Sequence, residues 1–316
     1  MHIPTKNNIE QAYLNVKRFA NHTPVLTSQS INRILGCKVF FKCENFQKVG
    51  AFKFRGATNA VFSISENEAH KGVCTHSSGN HAAALALAAS LRGIRSHIVM
   101  PKNAPTIKRK AVEGYGANIT SCEPTQQHRE SMLEEVQKLT GATFIHPYDN
   151  FNVICGQGTA SKELLEEVPD LKIILTPVGG GGLFSGTLIY AKETNPSIAV
   201  YAGEPKNADD AFRSLRDGIL YPSINPNTIA DGLRTSLSPL TFSIIQKYAD
   251  GILTVPEALI VEAMRLIWER MKIIIEPSSA VPVAAIIQNP NIFKGKKVGV
   301  IISGGNVGLD DLPFGH

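Results

Sequence analysis

"TPVGGGGLFSG" (residues 176–186) runs from an apolar, strand-like segment through four consecutive glycines into a helical pattern. Adjacent glycines carry a high conformational-entropy cost on folding, so a run of four marks a place where backbone must come close to something. At the start of a helix such a loop gathers backbone N–H groups around one point, and the helix dipole adds positive potential there. The stretch therefore reads as a phosphate-type anion site; the plainer alternative is a tight turn with no ligand. It matches neither G-x-x-x-x-G-K-[ST] nor a G-x-G-x-x-G in a first βα unit. That argues against a nucleoside triphosphatase and a dinucleotide enzyme.

The same strand–loop–helix rhythm extends along the chain. "KVFFKCE" (38–44), "GVCTHSS" (72–78), "SHIVMP" (96–101), "ANITSCE" (117–123), "TFIHP" (143–147), "KIILTPVGG" (172–180), "IAVYAGEP" (198–205) and "KKVGVIISGG" (296–305) read as strands. Helical patterns such as "GNHAAALALAASLRG", "APTIKRKAVEGYG", "RESMLEEVQKLTG" and "TASKELLEEV" lie between them. Apolar strands alternating with helices predict an α/β fold with parallel sheets covered on both faces. No linker or repeat interrupts the pattern. Two lobes would be joined by tight crossings near residues 45–55 and 145–152.

Two further strand ends carry chemistry. In "THSSGNHAAALALAA" (75–89), Ser77, Ser78, Asn80 and the amides that follow cluster at a helix start, where carboxylates bind well. A simple side-chain cap accounts for one such residue better than for the group. His81 alone reads as a packed helix-start histidine. "SGGN" (303–306) again supplies a hydroxyl, two glycines and an amide after an apolar strand. Ligands of open parallel sheets gather at the carboxyl ends of strands, so the three loops are expected to converge on one cleft.

"VGAFKFRGA" (49–57) places Lys53 between Phe52 and Phe54. Such a lysine either snorkels to water or is desolvated for chemistry. In "GEPKNADD" (203–210), Glu204 and Asp210, with a carbonyl such as that of Ala208, are suited to a hard cation. The alternative is that "NADD" merely caps a helix at 208–217, and spacing alone favours that alternative. With no G-x-S-x-G elbow, a Ser–His–Asp triad is not indicated.

Composition narrows the function classes. The 316 residues contain 32 Lys+Arg against 27 Asp+Glu, a net charge of +5, and the charges are scattered. The densest basic group, "KRK" at 108–110, falls in a helical pattern and reads as a solvated face, which argues against a nucleic-acid partner. Five cysteines without C-x-x-C spacing fit neither a disulfide framework nor a zinc site and suit a reducing compartment. No segment has the apolar length of a signal peptide or a membrane span, so a cytoplasmic chain without a membrane partner is expected.

"FKCENFQKVGAFKFRGA", "SSGNHAAALALAA", "HPYDN", "GQGT", "GGGGLFSG", "EPKNADD", "IADGL", "IIIEPSSA" and "IISGGN" occur in this order. Together they resemble the signature segments of the serine racemase and serine/threonine dehydratase group of fold-type II pyridoxal-phosphate enzymes. The likeness runs from about residue 20 to residue 308, and "SSGNHAAAL" resembles the eukaryotic, plant-type serine racemases most. It implies two open, twisted parallel-sheet domains with the cofactor, pyridoxal 5'-phosphate, in the cleft between them. Residues 1–50 with 148–316 would form the large domain, and 51–147 the small one.

By that resemblance Lys53 is the Schiff-base lysine, with Phe52 near the cofactor ring. Asn80 holds the ring's phenolic oxygen, and Gly179, Gly180, Gly181, Gly182 and Leu183 cradle the phosphate. Ser303 faces the pyridine nitrogen. Ser77, Ser78 and the amides around Asn80 and His81 hold the substrate carboxylate, with Arg129 and His146 on the substrate side of the cleft. Glu204, Asp210 and the Ala208 carbonyl match the family's site for Mg²⁺ (or Ca²⁺ or Mn²⁺), which reverses the preference for capping. A homodimer is implied; modulation by ATP, known in some serine racemases, is left open.

The implied activity is interconversion of L- and D-serine, with elimination from serine or threonine to pyruvate or 2-oxobutanoate and ammonia. Lysine is unreactive at its unperturbed pKa of roughly 10.4, and desolvation makes it a usable nucleophile and base. Ser78, on the opposite face from Lys53, would return the proton with inverted stereochemistry. Two alternatives stand beside this: a threo-3-hydroxyaspartate dehydratase in which Arg129 or another cation reads the second carboxylate, and a catalytically silent binding protein of the same fold. The sequence departs from the family at Ala51, where serine is common, and at Gly308, where an acidic residue often follows "SGGNV". A carboxy-terminal regulatory domain, and the feedback it brings, is not expected.

Overall fold

The structure, a computed structural model, describes residues 2–104 and 106–314. Its strands are β1 (Val25–Leu26), β2 (Lys38–Cys43), β3 (Val73–His76), β4 (Ser96–Pro101), β5 (Asn118–Cys122), β6 (Thr143–Phe144), β7 (Ile173–Pro177), β8 (Ala199–Pro205), β9 (Gly251–Val255) and β10 (Lys297–Ile302). They form a six-stranded sheet, ordered β1-β2-β10-β7-β8-β9, and a four-stranded sheet, ordered β5-β4-β3-β6. Every pairing is parallel except that of the short β1 with β2.

The two sheets draw on different parts of the chain. The four-stranded sheet uses only the segment from Val73 to Phe144, while the six-stranded sheet is built from segments on either side of it. Within the larger sheet, β7 is buried at all five residues. Its alternate side chains serve opposite faces, as a two-residue period requires. Ile174 packs with Phe184, Leu188 and Val200 on one face. Ile173 and Leu175 pack with Val283, Ile267 and Val300 on the other. The smaller sheet is covered by helices Lys53–Ser63 and Asn80–Arg92, whose Phe54, Val61 and Leu85 meet Ile98 and Met100.

The central strands agree with the sequence reading, and the differences lie at the edges. "TFIHP" pairs over only two residues, Thr143 and Phe144. β1 and β9 are absent from the reading because an edge strand is half exposed and lacks a continuous apolar run. Glycines let the helices between the sheets approach backbone to backbone. A Cβ at Gly156 would lie 2.6 Å from the Arg55 carbonyl oxygen, and one at Gly186 would lie 2.6 Å from the Gly158 nitrogen. This accounts for "GQGT" as a packing motif. Among the described residues all five cysteines are free and buried, and no helix is long and apolar enough to cross a membrane.

A charged cluster lies at the junction of these elements. The fully buried Arg55 grips two carboxylates at once. Its Nε and Nη2 donate to Glu44 at 2.7 and 2.8 Å, and its Nη1 and Nη2 to Glu163 at 2.9 and 2.7 Å. Lys42, also without exposure, lies 2.7 Å from Glu163 and donates to the Thr23 carbonyl at 2.6 Å. Burial pushes the Glu163 carboxyl up, but hydrogen bonding and charge from Arg55, with Lys42, outweigh it and hold it below the ordinary range. Arg55→Leu would strand two buried carboxylates, and loss of one partner of a buried ion pair costs about 3–5 kcal/mol. The expected outcome is a markedly lower chemical-denaturation midpoint; a midpoint unchanged from the parent would show the cluster to be energetically idle.

Candidate active site

Lys53 begins helix Lys53–Ser63, and the residues before it are held by β-type contacts to the end of β10. Ala51 bridges to Gly304, and the Phe52 N–H donates to the Ser303 carbonyl at 2.9 Å. The lysine is half-buried; its Nζ lies 5.2 Å from the centre of the Phe52 ring and donates to the Pro147 carbonyl at 2.9 Å. Burial lowers its pKa to about 8 from 10.5, against an opposing pull from the Glu276 carboxylate. Of the two readings open to this lysine, the geometry carries the desolvated one.

The glycine loop follows β7 and opens helix Gly182–Thr194, whose N-terminus no side chain caps. Gly181 takes a left-handed conformation, φ 87°. A Cβ at Gly180 would fall 2.2 Å from the Tyr148 ring, so no other residue leaves room there. Ser185, in the first turn, is buried, and its hydroxyl has no partner. A bare helix start, a floor cleared of side chains and a desolvated lysine nearby fit a phosphate-bearing carbonyl cofactor. These residues are the ones available to hold pyridoxal phosphate.

"SSGN" takes the corresponding place after β3. Gly79, not a serine or asparagine, occupies the cap position of helix Asn80–Arg92, and no side-chain cap forms. Ser77 and Ser78 are therefore not consumed in capping, although the Ser77 hydroxyl receives the Gly79 N–H at 3.3 Å. The Asn80 amide nitrogen donates to both oxygens of Glu276, each at 3.1 Å, and its oxygen accepts from Asn306 at 2.9 Å. Ser303 is buried and shares a 3.0 Å hydrogen bond with Ser279, which also donates to the Gly304 carbonyl.

Two histidines lie on the side of the smaller sheet. His81 is buried, its pKa lowered to about 3 by burial and then by Lys53; its Nε2–H donates to the Ile145 carbonyl, leaving Nδ1 bare. His146 is lowered to about 4, chiefly by burial, and its Nδ1 accepts the Asp149 N–H at 2.8 Å. Its ring stands edge-on to Tyr148, with centroids 4.5 Å apart. Arg129 is half-buried in the first turn of helix Gln126–Thr140, and its Nε has no hydrogen-bond partner.

In "GEPKNADD" the local cap expected from "NADD" does not form. Helix Asp210–Asp217 is not capped by Asp209, which pairs with Arg213 at 2.8 Å. The buried Glu204, at the end of β8, receives the Ala211 and Phe212 N–H groups at 2.9 and 2.8 Å. Burial, with Asp210 adding to it, pushes the Glu204 carboxyl well up, and burial lifts Asp210 to about 6. The Asp210 Oδ2 is buried without a partner, and Ala208 lies between the two in a short turn. Among the described residues no group of three His, Cys, Asp or Glu side chains is arranged to hold a metal. A cation here would rest on two carboxylates and backbone oxygen.

Sequence reading passed over Glu276 as a site residue. Burial, reinforced by Asp231, pushes it up to about 7. Its signal was a lone carboxylate ending the apolar run "IIIE". Also unforeseen, Lys108 of helix Thr106–Gly114 pairs with Asp231, joining elements beside the two sheets across the cleft.

The family model for pyridoxal-phosphate dependent enzymes matches residues 16–304. The chain belongs to this family. Serine racemase of Dictyostelium discoideum is 51% identical over 98% of this chain and 96% of its own length. Beta-hydroxyaspartate dehydratase of Paracoccus denitrificans is 49% identical over 99% of this chain and its full 100%. The structure of maize serine racemase superposes with a TM-score of 0.95 at 44% identity, covering 98% of this chain and 96% of that one. The fold is accordingly that of the fold-type II pyridoxal-phosphate enzymes. Amine-reactive labelling of Lys53 in the cofactor-free protein should rise with pH through about 8, because the reactive neutral amine grows as pH passes its pKa. Peptide mapping that shows Lys53 reacting only alongside ordinary surface lysines would contradict its desolvation.

Proposed function

We propose that this chain is a pyridoxal-phosphate-dependent serine racemase that also dehydrates serine and threonine. The observation that carries the reading is Lys53, desolvated and poised among three glycine- and serine-rich loops. The family resemblance and the racemases at high identity support it. The cofactor, when bound, supplies an electron sink that makes the substrate's Cα proton removable. The glycine loop and bare helix start would hold its phosphate, Asn80 its phenolic oxygen and Ser303 its ring nitrogen. A serine at that nitrogen, unlike an aspartate, does not force it to be protonated.

The rest falls to the chain's own groups. Lys53, with its lowered pKa, accepts the proton from one face of Cα near neutral pH. Ser78 returns a proton to the other face, and Ser77 with the uncapped amides of helix Asn80–Arg92 binds the substrate carboxylate. Racemisation and elimination then share one site, and their ratio is a kinetic partition in which about 1.4 kcal/mol between barriers is tenfold. Ser78→Ala should abolish racemisation while sparing much L-serine elimination, measured by chiral amino-acid analysis with parallel keto-acid detection. Equal loss of both would remove Ser78 from this role, and a Lys53→Ala protein that keeps the cofactor's visible absorbance would remove Lys53 from its own.

A second reading, dehydration of 3-hydroxyaspartate, is favoured by Arg129, whose Nε lacks a partner and which could receive a second carboxylate. The relative from Paracoccus denitrificans supports it. Exclusive turnover of hydroxyaspartate, read as oxaloacetate, would replace serine as the substrate.

We further propose that Glu204, Asp210 and the Ala208 carbonyl hold Mg²⁺ or a similar cation. Two buried carboxylates whose pKa values burial raises are stabilised by such a charge. Chelation should lower the melting temperature through linkage, and excess Mg²⁺ should restore it. An unmoved transition would assign Glu204 to helix capping alone. The division into residues 1–50 with 148–316 and 51–147 is supported by the separate segments from which the sheets are built. A homodimer rests on the resemblance alone, a cytoplasmic location on the cysteine usage and the lack of a signal-like segment, and modulation by ATP stays open.

A further inference from the structure

Val49 adopts φ 58° and ψ 12°, a left-handed conformation that β-branched residues rarely take. Gly50 follows at φ 68°. Backbone strain in a well-packed chain points to something that the strained segment holds in place. Here it turns the Val49 carbonyl onto the Asn306 side chain, which donates to it at 2.7 Å. The corner is closed on its other side too. The Gly305 N–H donates to the Gly50 carbonyl at 2.9 Å, and a Cβ at Gly50 would lie 2.6 Å from the Asn306 Oδ1.

A backbone carbonyl can only accept, so the Asn306 group facing Val49 must be its NH₂. The same nitrogen lies 2.9 Å from the Asn80 side chain, which must therefore present its oxygen. The Asn80 NH₂ is thereby turned the other way, where Glu276 receives it at 3.1 Å through both oxygens. An NH₂ carries two hydrogens, so one shared between the two Glu276 oxygens would leave the other for the site. The orientation of the Asn80 amide is thus dictated from outside the loop that carries it.

We propose that Asn306 is a positioning residue which, held by the strained Val49–Gly50 corner, keeps the Asn80 NH₂ turned toward the cofactor's phenolic oxygen and so favours the ionised form of that oxygen. The proposal rests on the reading of Asn80 as the residue at that oxygen. With Asn306 in place the amide is a donor at the site. With the contact inverted it presents a carbonyl, which repels an ionised oxygen and favours the protonated one.

The test uses the cofactor-loaded full chain and the ratio of its visible absorption, from the ionised form, to its near-ultraviolet absorption, from the un-ionised form. Asn306→Asp replaces the donor with an acceptor and should lower that ratio on the order of tenfold, the scale of a lost hydrogen bond to a charged group. Asn306→Ala removes the contact without inverting it. It should lower the ratio less, and it decides the matter if the aspartate variant does not fold. Borohydride reduction, with the tag mapped to Lys53, establishes that the cofactor is seated in each variant. A ratio equal to the parent's in a seated Asn306→Ala protein overturns the proposal. A parent that takes up no cofactor and gives no reducible adduct overturns the functional reading beneath it instead.

Discussion

The buried guanidinium of Arg55 gathers this structure around itself. Alone, a charge so far from water would be prohibitive; two glutamates make it tolerable, and Lys42, paired with Glu163, balances the second carboxylate. Glu44 follows β2, Lys42 lies within it, and Glu163 comes from a helix more than a hundred residues later. None of these groups can shift without leaving another unpaired. An arginine suits the place because its planar fork serves two carboxylates at once, which a lysine ammonium cannot match. Lys53 lies half a helical turn before Arg55, so the reactive amine inherits its position from a charge cluster that never meets substrate.

The cleft itself is built by the opposite means. Its anion-binding capacity comes from uncapped helix starts and glycine backbone rather than from a ring of basic side chains. Its titratable groups share one fate, because burial pushes each toward its neutral form. Lys53 falls to about 8, Glu276 rises to about 7, and His81 and His146 fall to about 3 and 4. A dry site with few fixed charges keeps proton exchange between such groups inexpensive near neutral pH.

What the sequence could reveal follows from how local each feature is. β4 and the central strands were readable because their apolar runs are continuous, and the glycine loop because four glycines have few other uses. Lys53 stood out through its aromatic neighbours alone. Glu276 did not, because its partner Asn80 lies 196 residues away, and the amide of "SGGN" was legible while its contact with Asn80, 226 residues away, was not. The capping of helix Asp210–Asp217 was misread for the same reason. Its acceptor is Glu204 from the preceding strand, whereas the adjacent "NADD" suggested a local cap. Arg55 was legible as part of a motif, but its two glutamates come together only through the fold.

The five buried thiols give the chain a built-in record of how it opens. Burial holds Cys43, Cys74 and Cys155 at about 12 and Cys37 at about 11, so the folded protein presents almost no reactive thiolate at neutral pH. Cys74 and Cys122 sit in the smaller sheet, and Cys43 in the larger, with Cys37 at its margin and Cys155 in a helix packed beside it. The order in which a thiol reagent reaches them is the order in which the two halves come apart. A protein with no surface cysteine thus reports its own unfolding, sheet by sheet.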